Sequence, residues 1–248
     1  MEVHHHPHPE KKSIKEYLLE GLMIFLAVMM GFIAENIREG IGDSEKGKEY
    51  VMGLVQNLKD DTTYISQVLD ENNGKLSRLK KLMMLSHEDL STHEIRKDLY
   101  QFSGNAIGYY SVFKSNDATM QQLKNSGGLR FIRKDHAADS IAKYLIQLEA
   151  IYSAEAVYLI ATNTAINASH EVLDYSVHYD TTYYNSKGFT GNPLPLLTSD
   201  PYKLKIFFNK VDFELGATRM YVMNLERRKP FMISLLNFLK REYNLDKE

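Results

Sequence analysis

The stretch Leu18–Ala34 constrains this chain more than any other. It reads LLEGLMIFLAVMMGFIA, with Glu20 its one charged residue, and nothing else in the 248 residues is apolar for so long. The uninterrupted part, Gly21 to Ala34, covers about 21 Å as a helix, short of the roughly 30 Å hydrocarbon layer of a bilayer. Adding Tyr17, Leu18, Leu19 and Ile37 gives about 20 residues, which spans if Glu20 and Glu35 lie at the two interfaces. A cleaved signal peptide would need a small-residue cleavage site, and Ala34-Glu35-Asn36 is a poor one. A buried core helix rarely opens with a Lys-rich tail such as Lys11, Lys12 and Lys15. The sequence therefore predicts an uncleaved signal anchor: a His/Lys-rich tail over 1–16, a transmembrane helix over 17–38 and a helical domain over 39–248.

Orientation follows from the flanking cations. Lys11, Lys12 and Lys15 precede the span and Arg38, Lys46 and Lys48 follow it. The cations before the span lie closer in, which favours a cytoplasmic N-terminus and a translocated C-terminal domain on a single-pass protein. Within the span, Glu20, Ile24, Ala27, Gly31 and Glu35 recur every three to four residues, placing small and ionisable groups on one stripe. Such a stripe suits helix–helix packing in a homo-oligomer, or a pore or proton path through Glu20 and Glu35. The plainer reading has both glutamates reaching to the interfaces. Both readings stay open at this stage.

Beyond residue 44 the pattern is helical. Val51, Val55, Leu58, Ile65, Leu69, Leu76, Leu79 and Met83 alternate by four and three, with Thr62 and Asn72 at the polar steps, which predicts a coiled-coil-like stalk over 45–85. Ser91-Thr92-His93-Glu94 has the form of a capping box, Ser91 at the cap, and opens a region of short helices over 92–134. Asn116 or Asp117 caps another of these, which ends at Ser126-Gly127-Gly128. That double glycine is a helix stop before it is an anion site. Ile141, Leu145, Leu148, Tyr152, Leu159, Ile166 and Leu173 mark a long helix over 136–178, with Glu155, Thr162 and Ser169 at its polar steps. A Tyr-, Gly- and Pro-rich loop occupies 180–198. Asp200-Pro201 then starts a C-terminal helix over 200–246 that Pro230 should kink or break. The fold class expected is all-α: an N-terminal transmembrane helix followed by long antiparallel helices in a bundle.

Composition narrows the function classes. Thirty Lys and Arg face 32 Asp and Glu, a formal charge of −2, without the basic excess of a nucleic-acid binder. No cysteine is present, which removes disulfides, thiolate nucleophiles and Cys-based zinc sites. The one constellation with metal-ligand spacing is His170, Asp174 and His178, at i, i+4 and i+8 on one face if the helix continues that far. Glu171 beside His170 gives half of an H-E-x-x-H motif, but Asp174 stands where the second histidine belongs. A solvated helix end explains the same residues. The tail His4-His5-His6-Pro7-His8 offers imidazoles without a supporting shell. No phosphate loop, dinucleotide fingerprint or nucleophile elbow occurs, so neither catalysis nor a cofactor is expected.

Lys15–Ile41, Lys46–Thr62 and Met120–Ile132 (MQQLKNSGGLRFI) resemble a family of uncharacterised Bacteroidota membrane proteins, and the His-rich start is similar too. The resemblance implies one N-terminal transmembrane helix, a helical remainder and a bacterial inner membrane; it assigns no functional residue. The expectation is a non-catalytic membrane protein that touches the bilayer and binds either itself or another membrane or periplasmic protein. The alternative is a ligand-sensing or transport component using the helical domain, its 183–197 loop, or the Glu20/Glu35 stripe.

Overall fold

The computed structural model describes residues 13–134, 136–191 and 194–245. The histidines at 4–6 and 8 lie outside them. The first helix, α1, runs unbroken from Ile14 to Met84, about 105 Å at 1.5 Å per residue. Ser13 opens it with a reciprocal capping box: its Oγ accepts from Glu16 N, and its own N–H donates to Glu16 Oε2 at 3.1 Å. That S-x-x-E signal places the start at Ile14, ahead of the expected span. Gly40 and Gly42 do not interrupt the helix. Each costs about 1 kcal/mol relative to Ala, less than breaking a ladder that is already formed on both sides.

The large apolar side chains from Ile14 to Ile41 are exposed, and the first buried residue of α1 is Gly47. This first part of α1 is long and apolar enough to cross a membrane. From Gly47 onward the helix forms one wall of the body.

The chain then retraces α1. After a turn at Leu85–His87, α2 (His93–Ala106), a connecting segment, α3 (Ala118–Ser126) and a short 3-10 turn (Gly128–Phe131) descend along it. The contacts come in strict order. Arg78 Nε donates to Asn105 O, Asn72 Nδ2 to Ser111 O, and Tyr64 OH to Val112 O. Thr119 N then donates to Asn57 Oδ1, Tyr50 OH meets Ser126 Oγ at 3.0 Å, and Arg133 pairs with Asp43. Gly127 closes α3 at φ +63°, where a Cβ would be strained.

α4 (Ala137–Ser169) rises beside α1, and α5 (Pro201–Glu242) descends against both. Asp61 meets Tyr144, and Lys75 meets Tyr158, so α1 and α4 run parallel. Lys134, just ahead of α4, sits over the ring of Tyr243, just beyond α5, so these two helices are antiparallel. α4 is also long and apolar enough to span a membrane, but it packs along α5 with part of its surface in the core.

Two expectations change. The α4 stripe keeps Ile141, Leu148, Thr162 and Ser169, but its intermediate positions are Tyr144, Ile151, Tyr158 and Ala165, one residue before those expected. Tyr152 is instead 40% exposed. α5 passes through Pro230 without ending. Met232, Leu235 and Leu239 beyond it are as buried as Leu225 before it, and this packing on both sides outweighs the lost hydrogen bond.

The loop before α5 is tied down. A two-stranded hairpin pairs Tyr184 with Phe189 and Asn185 with Gly188, Leu173 bridges to Leu196, and Leu194 is fully buried.

Space around the glycines separates two outcomes. A Cβ at Gly47 would lie 2.2 Å from Phe131 O, whereas Gly40 and Gly42 have nothing within 4 Å. Gly47→Ala should cost about 1–3 kcal/mol, and Gly40→Ala should add up to about 1 kcal/mol of helix stability. Thermal melts followed by circular dichroism measure both.

Candidate functional site

Two clusters of polar side chains sit inside the body, at α1 positions that lie off the apolar heptad seam and read from the sequence as a solvated flank. Asp61 and Lys75 of α1 belong to a run at sevenfold spacing, Leu54, Asp61, Val68, Lys75 and Leu82, all of them buried. α1 buries this third stripe as well because the returning α2–α3 segment covers one flank and α5 the other.

In the first cluster, Lys75 Nζ lies 2.7 Å from Glu214 Oε1, and neither side chain has exposed surface. The ammonium also donates to Thr162 Oγ1 at 3.2 Å and Tyr158 OH at 3.3 Å, so its three N–H groups have partners on α4 and α5. Its charge lies 4.6 Å from the centre of the Tyr158 ring, which stacks in turn on Tyr221 at 4.9 Å. Burial pushes Glu214 up to about 7, against the opposing pull of the Lys75 ammonium. Burial likewise pushes Lys75 below the ordinary lysine value, and the carboxylate works against that shift.

In the second cluster, Asp61 Oδ1 accepts from Asn116 N at 2.7 Å, and Oδ2 accepts from Ser115 Oγ and from Tyr144 OH. Desolvation raises the Asp61 carboxyl, and these three donors pull it back. The carboxylate fastens the 113–117 segment between α1 and α4. Tyr221 OH accepts from Phe113 N at 2.8 Å and fastens the same segment from α5.

Neither cluster places a nucleophile beside a base in an open cleft, so their chemistry is cohesion. The concave sites lie elsewhere. One cavity of about 750 Å³ opens between the turn after α1, the start of α2 and the start of α5, lined by Met83, Arg96, Leu196, Leu204 and Phe208 among others. A second, of about 660 Å³, has Tyr100, His178, Tyr184 and Phe189 in its wall. A third, of about 910 Å³, is shallower and runs along α5 around Pro230. The first has the mixture of apolar floor and convergent polar groups that small-molecule sites use.

The residues singled out from the sequence fall apart in space. α4 ends at Ser169, so His170, Asp174 and His178 do not share a helix face. His170 packs on the Tyr175 ring, Asp174 Oδ1 accepts from Ser176 N and Oγ, and His178 joins Tyr184 and Phe189 in an aromatic cluster. Among the described residues no group of three or more His, Cys, Asp or Glu is placed to hold a metal ion. Ala27 and Gly31 lie on the exposed part of α1, as do Glu20 and Glu35. Glu35 pairs with Arg38 on its own helix. Ser91 does not cap α2. Its Oγ donates to Asp89, and Thr92 stands at the cap without a side-chain bond to the helix.

No protein-family model matches the chain, and no curated protein or solved structure matches it.

Breaking the buried pair on one side strands a charge. Lys75→Met or Glu214→Leu alone should cost about 3–5 kcal/mol, while the double variant should be neutral or up to about 4 kcal/mol more stable. Urea denaturation of all three measures this.

The pH response of Lys75→Met carries its own sign. Glu214 there keeps its burial and loses its cation, so the folded state binds its proton more tightly than the unfolded chain, whose ordinary value is 4.5. Stability of that variant is greatest below about pH 4.5 and falls as pH rises through the folded value. Urea melts between about pH 4 and 8 read the slope, and adding Glu214→Leu should abolish it. Asp61→Ala, which removes the acceptor of three hydrogen bonds, should cost about 3 kcal/mol or more in the same assay.

Proposed function

We propose that this chain is a single-pass membrane protein whose helical bundle works by binding rather than by catalysis. The bundle would sit on the periplasmic side of a bacterial inner membrane, and its occupant would be a second copy or another membrane or periplasmic protein. The observation that carries this reading is the first third of α1: a fully exposed apolar helix that continues without a break into the wall of a packed body. Exposed apolar surface on that scale calls for lipid or protein around it. The likeness of Lys15–Ile41 to uncharacterised Bacteroidota membrane proteins supports the same setting. The small residues Ala27 and Gly31 favour close helix approach within the bilayer.

The experiment combines location and company. The full chain should stay in the membrane through alkaline carbonate washing, its body should be accessible to protease only from the periplasmic face, and in-membrane crosslinking should capture a defined homo-oligomer or partner. Release by carbonate, or a monomer crosslinked to nothing, would overturn the reading.

A ligand-sensing role is the second reading, and one observation favours it. The segment before α5 contributes Leu196 to one sizeable cavity and Tyr184, Lys187 and Phe189 to another. Residues of that segment thus wall two of the concave surfaces of the body.

A further inference from the structure

We propose that the cavity between the turn after α1 and the start of α5 binds a small zwitterion with an apolar body, an amino acid or short peptide, its carboxylate on Arg96 and its ammonium on Asp212. This rests on the ligand-sensing reading and names the ligand class.

The cavity lies at the end of the body opposite the exposed apolar part of α1, and its volume of about 750 Å³ suits a ligand of this size. Its apolar wall comes from Met83, Leu196, Leu204 and Phe208. Arg96 is held as a recognition group is held. Nε donates to Leu90 O and Nη1 to Leu194 O, each at 2.7 Å, fixing the plane of a half-buried guanidinium that lines the cavity. A guanidinium anchored this way presents a charge whose side-chain entropy is already lost, which favours a carboxylate.

The acidic side of the wall decides the rest. Asp89 is already engaged, accepting from Ser91 N at 2.9 Å and Ser91 Oγ at 2.8 Å. Glu88 and Asp212 also line the cavity, together with the cations Arg96 and Lys205. A simple fatty anion would meet the two acids, and a simple amphiphilic amine would meet the two cations. A zwitterion satisfies both sets, and the like-charge contacts reject ligands of a single sign.

The chain contains no tryptophan, so Asn209→Trp, at an exposed rim position of the cavity, gives the full-length protein one tryptophan, excited apart from the tyrosines at long wavelength. In phosphatidylcholine nanodiscs, trileucine should shift its emission saturably, while N-acetyl-trileucine, trileucine amide and octanoate should bind at least tenfold more weakly. Arg96→Gln should weaken trileucine at least tenfold. Asp212→Asn, at an exposed position without a bond to the core, should do the same with an unchanged melting temperature. Equal binding of trileucine and its N-acetyl form, or full affinity in Asp212→Asn, would overturn the proposal. Saturable octanoate binding without any trileucine binding would sink the zwitterion and leave the sensing reading standing. If no probe shifts the emission, both fall.

Discussion

An ammonium group with no exposed surface has to be met by charge and by acceptors for every N–H, and in this protein three helices meet to supply them. Lys75 comes from α1, Thr162 and Tyr158 from α4, and Glu214 from α5. Apolar side chains along these helices tolerate small slips, because one methyl group replaces another at little cost. A buried lysine does not. Sliding α5 by one turn would leave both charges in a low-dielectric interior without a partner. The pair therefore selects the register in which Tyr158 stacks on Tyr221 and Tyr221 reaches the backbone of Phe113. Asp61 does the same work lower down, where it joins α1, α4 and the crossing segment.

The second constraint is the continuity of α1. One helix is both the exposed apolar rod and a wall of the body, so the position of the body relative to the rod is set by helix geometry rather than by a linker. Gly47 matters here because it is the first buried residue of α1: the Phe131 carbonyl approaches too closely for any side chain. From there upward every returning element touches α1 in turn.

Much of this architecture is legible in the residues. Asp200-Pro201 marks a helix start and Gly127 a stop, because such caps depend on local backbone groups alone. The α1 seam is legible for the same reason, since Val51 through Leu79 repeat at a period that only a helix satisfies. Other features are not. In α4 both Tyr144 and Leu145, and both Tyr158 and Leu159, are apolar enough to face inward, and pattern alone cannot choose between them. The partner chooses: Asp61 and Lys75 need phenolic hydroxyls, so the tyrosines go in. His170, Asp174 and His178 look aligned only while the helix is assumed to continue past Ser169.

The linear order of residues suffices for the helical character, the long apolar run near the start and some helix ends such as Asp200-Pro201 and Gly127, because each depends on neighbours within a few positions. It also carries the charged residues at sevenfold spacing, yet their burial is invisible there. A lysine at position 75 reads as a solvated flank until a glutamate 139 places along the chain is brought within 2.7 Å of it. Which helices run parallel, which face of α4 turns inward and where the cavities open all depend on such distant pairs. They were settled by the folded packing, since only there does the cost of an unpaired buried charge outweigh local preference.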